Sequence, residues 1–260
     1  MAREPAQPRE EPAAGLPEQA AELATRVSEG QRPPERRRLI ESLGAAAHSG
    51  ARVAGRGSRA AQRGFGMGVT WLTGQVIAMV PRLRVRDQAA LQEQFPGRST
   101  EEIADALIEG ASRASAAVGG AVGAWAALPL LPAFPAELAT ETLALVGIEV
   151  KLVAELHETY GSRAPGNVVD RGMAYLSAWA HRRGVMLGPG GLVLAAGSPL
   201  ARQLRRRLVA RAGRSAFSLG PLLTGATAGA LLNRRETWRL GQEVRADLRR
   251  RAADSGGRSD

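Results

Sequence analysis

Four stretches of the chain carry no charged residue, and glycine or proline interrupts each of them. They are Gly64–Pro81, Ala114–Ala136, Gly184–Ala201 and Ser215–Asn233. Each is close to the roughly 20 residues that a membrane-spanning helix needs. Segments so rich in glycine and alanine allow neighbouring helix backbones to approach closely, both in membranes and in tightly packed cores. The pattern therefore predicts close helix packing, and it indicates no chemical reaction.

The remaining pattern predicts an all-α fold. Runs that alternate between apolar and polar residues are absent, so no strand is expected. The segment Gly184–Gly191 is predicted to be a loop, or the broken start of a helix at Leu192–Ala196. The predicted helices are Leu39–Ala54, Gly64–Val80, Arg86–Gln94, Ser99–Leu128, Ala136–Tyr160, Asn167–Arg182, Pro199–Arg211 and Pro221–Asn233, the last continuing or restarting as Arg234–Arg251.

Three local signals mark where helices begin and end. Ser99 and Glu102 have the spacing of a capping box, in which each side chain bonds the other residue's backbone N–H. Gly161 is a fitting C-terminal stop. Prolines 129, 132 and 135 form an apolar corner that interrupts the helical pattern. In the last helix, the apolar stripe is predicted at Leu240, Val244 and Leu248.

The chain is predicted to contain one helical domain, residues 38–251, between two flexible ends. Residues 1–37 are rich in proline and glutamate and are expected to be a disordered tail, with one weak helix at Glu18–Ser28. Residues 252–260 are expected to be a second flexible tail. Met1–Pro17 contains no apolar segment of the kind found in signal peptides, so a cytoplasmic location is expected.

Arginine flanks several uncharged runs at both ends, which argues against simple membrane spans. The flanking pairs are Arg63 and Arg82, Arg183 and Arg202, and Arg214 and Arg234. A spanning helix usually has its arginines mainly on the cytoplasmic side. The pattern therefore favours buried helices, re-entrant hairpins or interfacial insertion.

Composition limits the possible chemistry. The net charge is +10, there is no cysteine, and Lys151 is the only lysine. Disulfides and thiolate metal sites are thereby excluded. The histidines His48, His157 and His181 do not have the spacing of metal ligands, so neither a metal nor a cofactor is expected. Arginine in place of lysine, together with abundant alanine, also suggests a GC-rich genome, which weakens a functional interpretation of any arginine cluster.

One basic segment is nevertheless a candidate for binding lipid headgroups. Its arginines are Arg202, Arg205, Arg206, Arg207, Arg211 and Arg214. Leu204 and Leu208 are four residues apart and are predicted to face inward, which leaves the arginines in solvent. Such a face suits anionic lipid. Nucleic acid is the less favoured partner, because no aromatic platform accompanies the arginines.

Glycines four residues apart predict a groove for helix packing. The candidates are Gly119 and Gly123 in one helix, and Gly225 and Gly229, followed by Asn233, in another. The pattern fits a contact in a membrane and an ordinary tight contact in a soluble helical core equally well.

Glu149 is the most unusual residue of the predicted helix Ala136–Tyr160. On a wheel of about 100° per residue, it lies in the middle of the apolar face. That face contains Leu138, Leu145, Leu152, Val153 and Leu156, and the opposite, polar face contains Glu137, Glu141, Lys151, Glu155 and Glu158. A buried carboxylate is costly unless it is paired or protonated.

Two roles for Glu149 remain open. It can be a proton, cation or ligand site, or it can form a buried ion pair with an arginine such as Arg113 or Arg214, which is the favoured interpretation. Glu155, on the polar face, is expected to be exposed, so that its replacement by glutamine should cost little.

No enzyme motif is found. The glycine-rich segments Gly64–Gly68 and Gly188–Gly191 follow no predicted strand and lack the Gly-Lys-Ser/Thr sequence of a phosphate-binding loop. No serine has the surroundings of a nucleophile elbow. An enzyme would therefore have to assemble its catalytic groups from distant segments.

Part of the chain resembles the EcsC protein family of bacteria, in particular its actinomycete members. The likeness covers about Glu101–Arg251 and has two parts. The first is Gly119–Gly161, which combines a glycine-rich segment, the proline corner and an acidic-apolar helix ending in Tyr160 and Gly161. The second is the series Gly225, Gly229 and Asn233 before Arg234–Arg251.

The EcsC family takes its name from an operon that encodes an ABC transporter. The resemblance implies a helical accessory protein that acts at the cytoplasmic face of a membrane or on a membrane transport complex, and it supplies no catalytic residues. The insertion surface would be the hairpin around Pro129–Pro135. The alternatives are a soluble helical protein-interaction module and an enzyme or ligand binder with a pocket near Glu149.

Overall fold

The computed structural model describes residues 18, 21–22, 24–26, 72–125, 134–188, 191–194 and 222–256. Helix α1 covers residues 72–79 and continues into a 3-10 turn at Val80–Arg82. The other elements are α2 (Gln88–Gln94), α3 (Thr100–Trp125), α4 (Phe134–Thr159), α5 (Val168–Arg183), β1 (Val185–Gly188), β2 (Gly191–Leu194) and α6 (Leu222–Gly256). The predicted helices Leu39–Ala54 and Pro199–Arg211 lie outside the described residues.

The predicted all-α class is confirmed, with one short hairpin added. Strands β1 and β2 pair antiparallel, with Val185 opposite Leu194 and Gly188 opposite Gly191. The sequence predicted a loop or a broken helix start here. The two strands are continuous apolar runs next to glycine, so they lack the alternation that identifies a half-buried strand.

The helix boundaries follow the predicted capping chemistry. Ser99 donates its backbone N–H to Glu102 Oε2 at 2.8 Å, and Glu102 donates its own to Ser99 Oγ at 3.3 Å. This confirms the capping box before α3, and the hydrogen bond from the Ser99 backbone lowers the pKa of the Glu102 carboxyl. Gly161 follows α4 with a φ of 66°, a left-handed conformation that glycine adopts without strain.

Helix α6 is continuous across the point where the sequence allowed a restart. Its predicted stripe is confirmed, because Leu240, Val244 and Leu248 are all buried. The helix extends to Gly256, so the first residues of the predicted C-terminal tail, 252–256, are helical.

Part of the predicted N-terminal tail packs into the core. The described residues between 18 and 26 are helical, and Ala21 and Ala24 are buried. A Cβ placed on Gly147 of α4 would lie 2.8 Å from the Cβ of Ala24, so the absence of a side chain at Gly147 makes room for this segment. The described residues all lie within the predicted weak helix at Glu18–Ser28 and are helical. The burial of Ala21 and Ala24 adds a contact with the core that the sequence did not predict.

Helix α4 lies at the centre of the packing. It contacts α2, α3, α5 and α6, while α3 and α6 pair with each other over the greatest length. The 3-10 turn and β1 pack on α5. Side chains from many of these elements meet α4 in one core, of which Trp179, Met79, Leu91, Ile108, Leu152 and Leu156 are among the largest fully buried members.

Helices α3 and α6 approach each other closely at Gly119 and Gly229. A Cβ on Gly119 would lie 2.9 Å from the carbonyl oxygen of Gly229 and would overlap the Asn233 amide. A Cβ on Gly229 would lie 3.3 Å from the carbonyl oxygen of Gly119. The structure thus places three of the predicted packing residues at one helix contact.

We expect Gly119→Ala to destabilise the protein by about 1–3 kcal/mol, because the added methyl group meets backbone that cannot move independently. The neighbouring substitution Gly120→Ala is the matched control. Its Cβ would meet only the Cβ of Ala230, at an ordinary 3.7 Å. Replacing a helical glycine with alanine should then stabilise by about 0.5–1 kcal/mol. Urea denaturation of both variants tests the contact, and equal stability would contradict it.

Candidate functional site

Helix α4 is buried on all sides over its C-terminal half. Lys151 is 1% exposed, Glu155 is 2% exposed, and Glu158 is also buried. The prediction that the polar face of this helix is exposed to solvent is therefore wrong for these three residues. The reason is that α4 is the central helix, and the structure supplies a charged or polar partner to each of these groups instead of water.

Glu149 lies at the meeting point of three helices. Its carboxylate accepts a bidentate interaction from Arg183 of α5, through Nη2 and through Nε at 3.0 Å. Trp179, one turn earlier on α5, donates its indole N–H to Oε2 at 2.8 Å. Thr237 of α6 donates its hydroxyl to Oε1 at 2.9 Å. The predicted buried ion pair is confirmed, and its partner is Arg183. Of the two arginines named from the sequence, Arg113 is exposed and pairs with Glu109, and Arg214 lies outside the described residues.

The carboxylate of Glu149 has no acceptor site left for a ligand. A carboxylate has about four lone-pair positions, and Arg183, Trp179 and Thr237 together direct four donors at them. A substrate or cation that used Glu149 would have to displace one of these donors. The arrangement is that of an internal cross-link between helices.

The network continues from Glu149 into α3. Thr237 Oγ1 lies 2.8 Å from Ser115 Oγ, and because Thr237 has already given its proton to Glu149, Ser115 is the donor in this bond. The Asn233 amide donates to the backbone carbonyl of Ser115 at 3.3 Å. We call the group formed by Ser115, Glu149, Trp179, Arg183, Asn233 and Thr237 the Glu149 network. It joins α3, α4, α5 and α6.

Arg183 also has a second carboxylate neighbour. Its Nη1 lies 3.4 Å from Glu236 Oε2. Burial is the largest single influence and lowers the pKa of Arg183, but the carboxylates of Glu149, Glu236 and Glu243 together raise it above its ordinary value. The guanidinium therefore stays charged, which is the condition for a stable buried ion pair.

A second buried charge cluster surrounds Glu155. Its Oε1 accepts hydrogen bonds from Lys151 Nζ and from Arg86 Nε, the latter at 2.8 Å, and Arg86 Nη2 lies 2.6 Å from Oε2. The Arg86 backbone N–H adds a bond of 3.2 Å to Oε1. Arg86 also donates to Gln94 at 2.5 Å. The Glu155 cluster therefore ties the segment before α2 to the central helix.

A third cluster closes the outer ends of α3 and α6. Arg245 and Arg249 of α6 both bind Glu101 of α3, and Arg245 also reaches Asp105. The Tyr160 hydroxyl donates to Glu101 at 2.8 Å. The hydrogen bond from Arg249, helped by Arg245 and Tyr160 and opposed by burial, lowers the pKa of Glu101 to about 2. The carboxylate is therefore charged at neutral pH.

The two described histidines lie on different helices and have different environments. His157 donates Nδ1–H to the Val153 carbonyl at 2.7 Å and packs its ring near that of Tyr175. Burial lowers the pKa of His157, which favours its neutral form. His181 is exposed in the last turn of α5. Within the described ranges, no three metal-binding side chains come together.

Most of the predicted headgroup and hairpin residues lie outside the part of the chain that the structure describes. The arginines Arg202, Arg205, Arg206, Arg207, Arg211 and Arg214 lie outside the described residues, as do Pro129 and Pro132. Gly123 and Gly225 lie within α3 and α6, respectively.

Sequence reasoning missed the residues that hold Glu149 in place. Trp179 and Arg183 are four residues apart on one helix, which places both on the same face. In the sequence, Arg183 stands out only as the border of an uncharged run. A buried tryptophan whose N–H needs an acceptor, one turn before an arginine, was the available signal.

Comparison of the chain with protein-family models, with curated proteins and with solved structures finds no match. Where the structure describes the chain, no helix combines the length and the apolar character that crossing a membrane requires.

Proposed function

We propose that the protein is a non-enzymatic helical accessory protein. It acts at the cytoplasmic face of the cell membrane, or on a membrane transport complex, as the resemblance to the EcsC family implies. It is peripheral, and it binds by contact with anionic headgroups rather than by spanning the bilayer.

The observation that carries this proposal is the concentration of exposed arginines on α6, among them Arg235, Arg239, Arg250 and Arg251. Arg250 and Arg251 share one carboxylate partner, Asp247, and the full chain has a net charge of +10. Clusters of arginine favour anionic membranes, with roughly 1 kcal/mol gained for each residue near the surface. The buried charges support the proposal indirectly. Glu149 pairs with Arg183, and Glu155 pairs with Arg86 and Lys151, so both carboxylates have a structural role.

Flotation with lipid vesicles tests the proposal. We expect the full chain to float with vesicles that contain phosphatidylglycerol and to remain in solution with vesicles of phosphatidylcholine alone. Because exposed charges are screened by salt, binding should weaken as the salt concentration rises. Failure to bind anionic vesicles at low salt would contradict a direct membrane role.

The second candidate is a soluble helical protein-interaction module, which one feature favours. Val168 and Val169, adjacent at the start of α5, are 58% and 51% exposed. Neighbouring exposed valines of this kind suit a small contact with a partner protein. This candidate predicts no flotation and a stable complex that Val168→Ser with Val169→Ser disrupts. The third candidate, a ligand site at Glu149, has less support, since a ligand would have to displace Arg183, Trp179 or Thr237.

A further inference from the structure

One stripe of α6 combines exposed apolar and basic side chains. Leu231 is 66% exposed and Trp238 is 47% exposed. They are seven residues apart, about two helical turns or 10 Å along one face. Three exposed arginines lie between and beside them. We call the set Leu231, Arg234, Arg235, Trp238 and Arg239 the Trp238 face.

The Trp238 face carries a net positive charge. Arg234 forms an ion pair with Glu109 of α3 at 2.9 Å. Among the residues that the structure describes, Arg235 and Arg239 have no carboxylate partner, and Glu236 points away from the face towards the buried Arg183. Two guanidinium groups are therefore available to an anionic partner, one before and one after Trp238 along the helix.

The side chains of this face match the chemistry of a headgroup layer. Tryptophan has an apolar ring and a polar N–H, and it favours the boundary between water and hydrocarbon. Arginine extends its apolar stem along such a boundary and places its charge on phosphates. Isolated apolar side chains among cations can insert between lipids, because a fluid surface adapts to them.

A protein partner fits this face less well. A stable protein interface buries about 800 Å² on each side and has a contiguous, well-packed centre. The Trp238 face instead separates its two large apolar side chains by two turns and fills the space with arginine. This arrangement favours lipid.

We propose that the Trp238 face is the surface on which the protein rests against an anionic membrane. Trp238 and Leu231 enter the headgroup region, and Arg235 and Arg239 contact lipid phosphates. The inference rests on the proposed function and names its binding surface. It places that surface on α6, in addition to any contribution from Arg202–Arg214.

Two pairs of substitutions test the surface in flotation with phosphatidylglycerol vesicles. Removing two headgroup charges with Arg235→Gln and Arg239→Gln should weaken binding by about 30-fold, given roughly 1 kcal/mol for each arginine. Removing the anchors with Leu231→Ala and Trp238→Ala should weaken it by about tenfold or more. Arg84→Gln with Arg98→Gln is the matched control. Both residues are exposed outside the face, and the pair removes the same charge.

Tryptophan fluorescence tests the depth of insertion. Vesicles containing brominated lipids quench only a tryptophan that reaches the bilayer. The full chain should be quenched, and Trp238→Phe should lose that quenched component. Because all the substituted side chains are exposed, circular dichroism and melting temperature should match those of the parent protein.

The outcomes separate the two proposals. Loss of binding in both face variants, with the control unchanged and Trp238 quenched, supports the inference. If the parent chain floats but the face variants bind as the control does, the inference is overturned and the proposed function stands. The inference is likewise overturned if Trp238→Phe leaves quenching unchanged. If the parent chain does not float, both fail.

Discussion

Replacing Glu149 with glutamine is expected to lower the free energy of unfolding by about 3–5 kcal/mol, the usual cost of removing one partner from a buried ion pair. Arg183 would keep its charge in an environment from which water is excluded. Glutamine also presents only one oxygen where the carboxylate presents two, so it cannot accept from all of Arg183, Trp179 and Thr237. A loss of this size is a large part of the stability of a typical domain.

Urea denaturation of Glu149→Gln measures this effect, and Glu109→Gln provides the control. Glu109 also binds arginine, but its side chain and that of its partner Arg234 are substantially exposed. Surface ion pairs contribute about 0–1 kcal/mol, so the control should cost little. Equal small losses in both variants would contradict the structural role of the Glu149 network.

A double substitution distinguishes an ion pair from a general loss of packing. Glu149→Leu combined with Arg183→Met removes both charges together, and apolar replacement of a whole buried pair is often close to neutral. We expect only partial recovery relative to Glu149→Gln. Trp179 and Thr237 would lose their acceptor, and an unsatisfied buried donor costs about 1–3 kcal/mol. No recovery at all would indicate that the charge of Arg183 is not the source of the loss.

The sequence predicted features that depend on nearby residues. Three such features are the Ser99 capping box, the stop at Gly161 and the apolar stripe of α6. Each depends on residues only a few positions apart, so it can be predicted without knowledge of the tertiary structure. Burial of Glu149 was also visible, because a single carboxylate interrupted an apolar face of otherwise regular period.

What the sequence could not predict depends on contacts between distant segments. The partner of Glu149 is 34 positions away in Arg183, and many arginines were equally plausible by position. Lys151 and Glu155 were assigned to solvent because a polar stripe on a helix normally marks its exposed face. That rule fails for a helix surrounded on all sides, where charged side chains meet one another instead of water.

Glu155→Gln is therefore expected to be strongly destabilising, in contrast to the small cost that the helical wheel predicted. Glu155 is the anion between Lys151 and Arg86, and Lys151 is as deeply buried as the largest core side chains. Removing its charge leaves two cations near each other at low dielectric. We expect a loss of about 3–5 kcal/mol, measured by urea denaturation, while Glu93→Gln, at an exposed position on α2, should change stability by at most about 0.5 kcal/mol.

The salt dependence of Glu155→Gln identifies the origin of the loss. Screening acts on charges in solvent and much less on buried ones, because ions cannot enter the core. If the penalty comes from Lys151 and Arg86 inside the protein, adding sodium chloride should leave the difference between Glu155→Gln and the parent chain unchanged. If Glu155 faced solvent, as the wheel indicated, the difference would be small at the outset and would vanish with salt. Arg86 directly precedes α2, so losing the Glu155 charge should loosen α2 first. Hydrogen exchange in Glu155→Gln should therefore rise at α2 before it rises where α3 packs against α6.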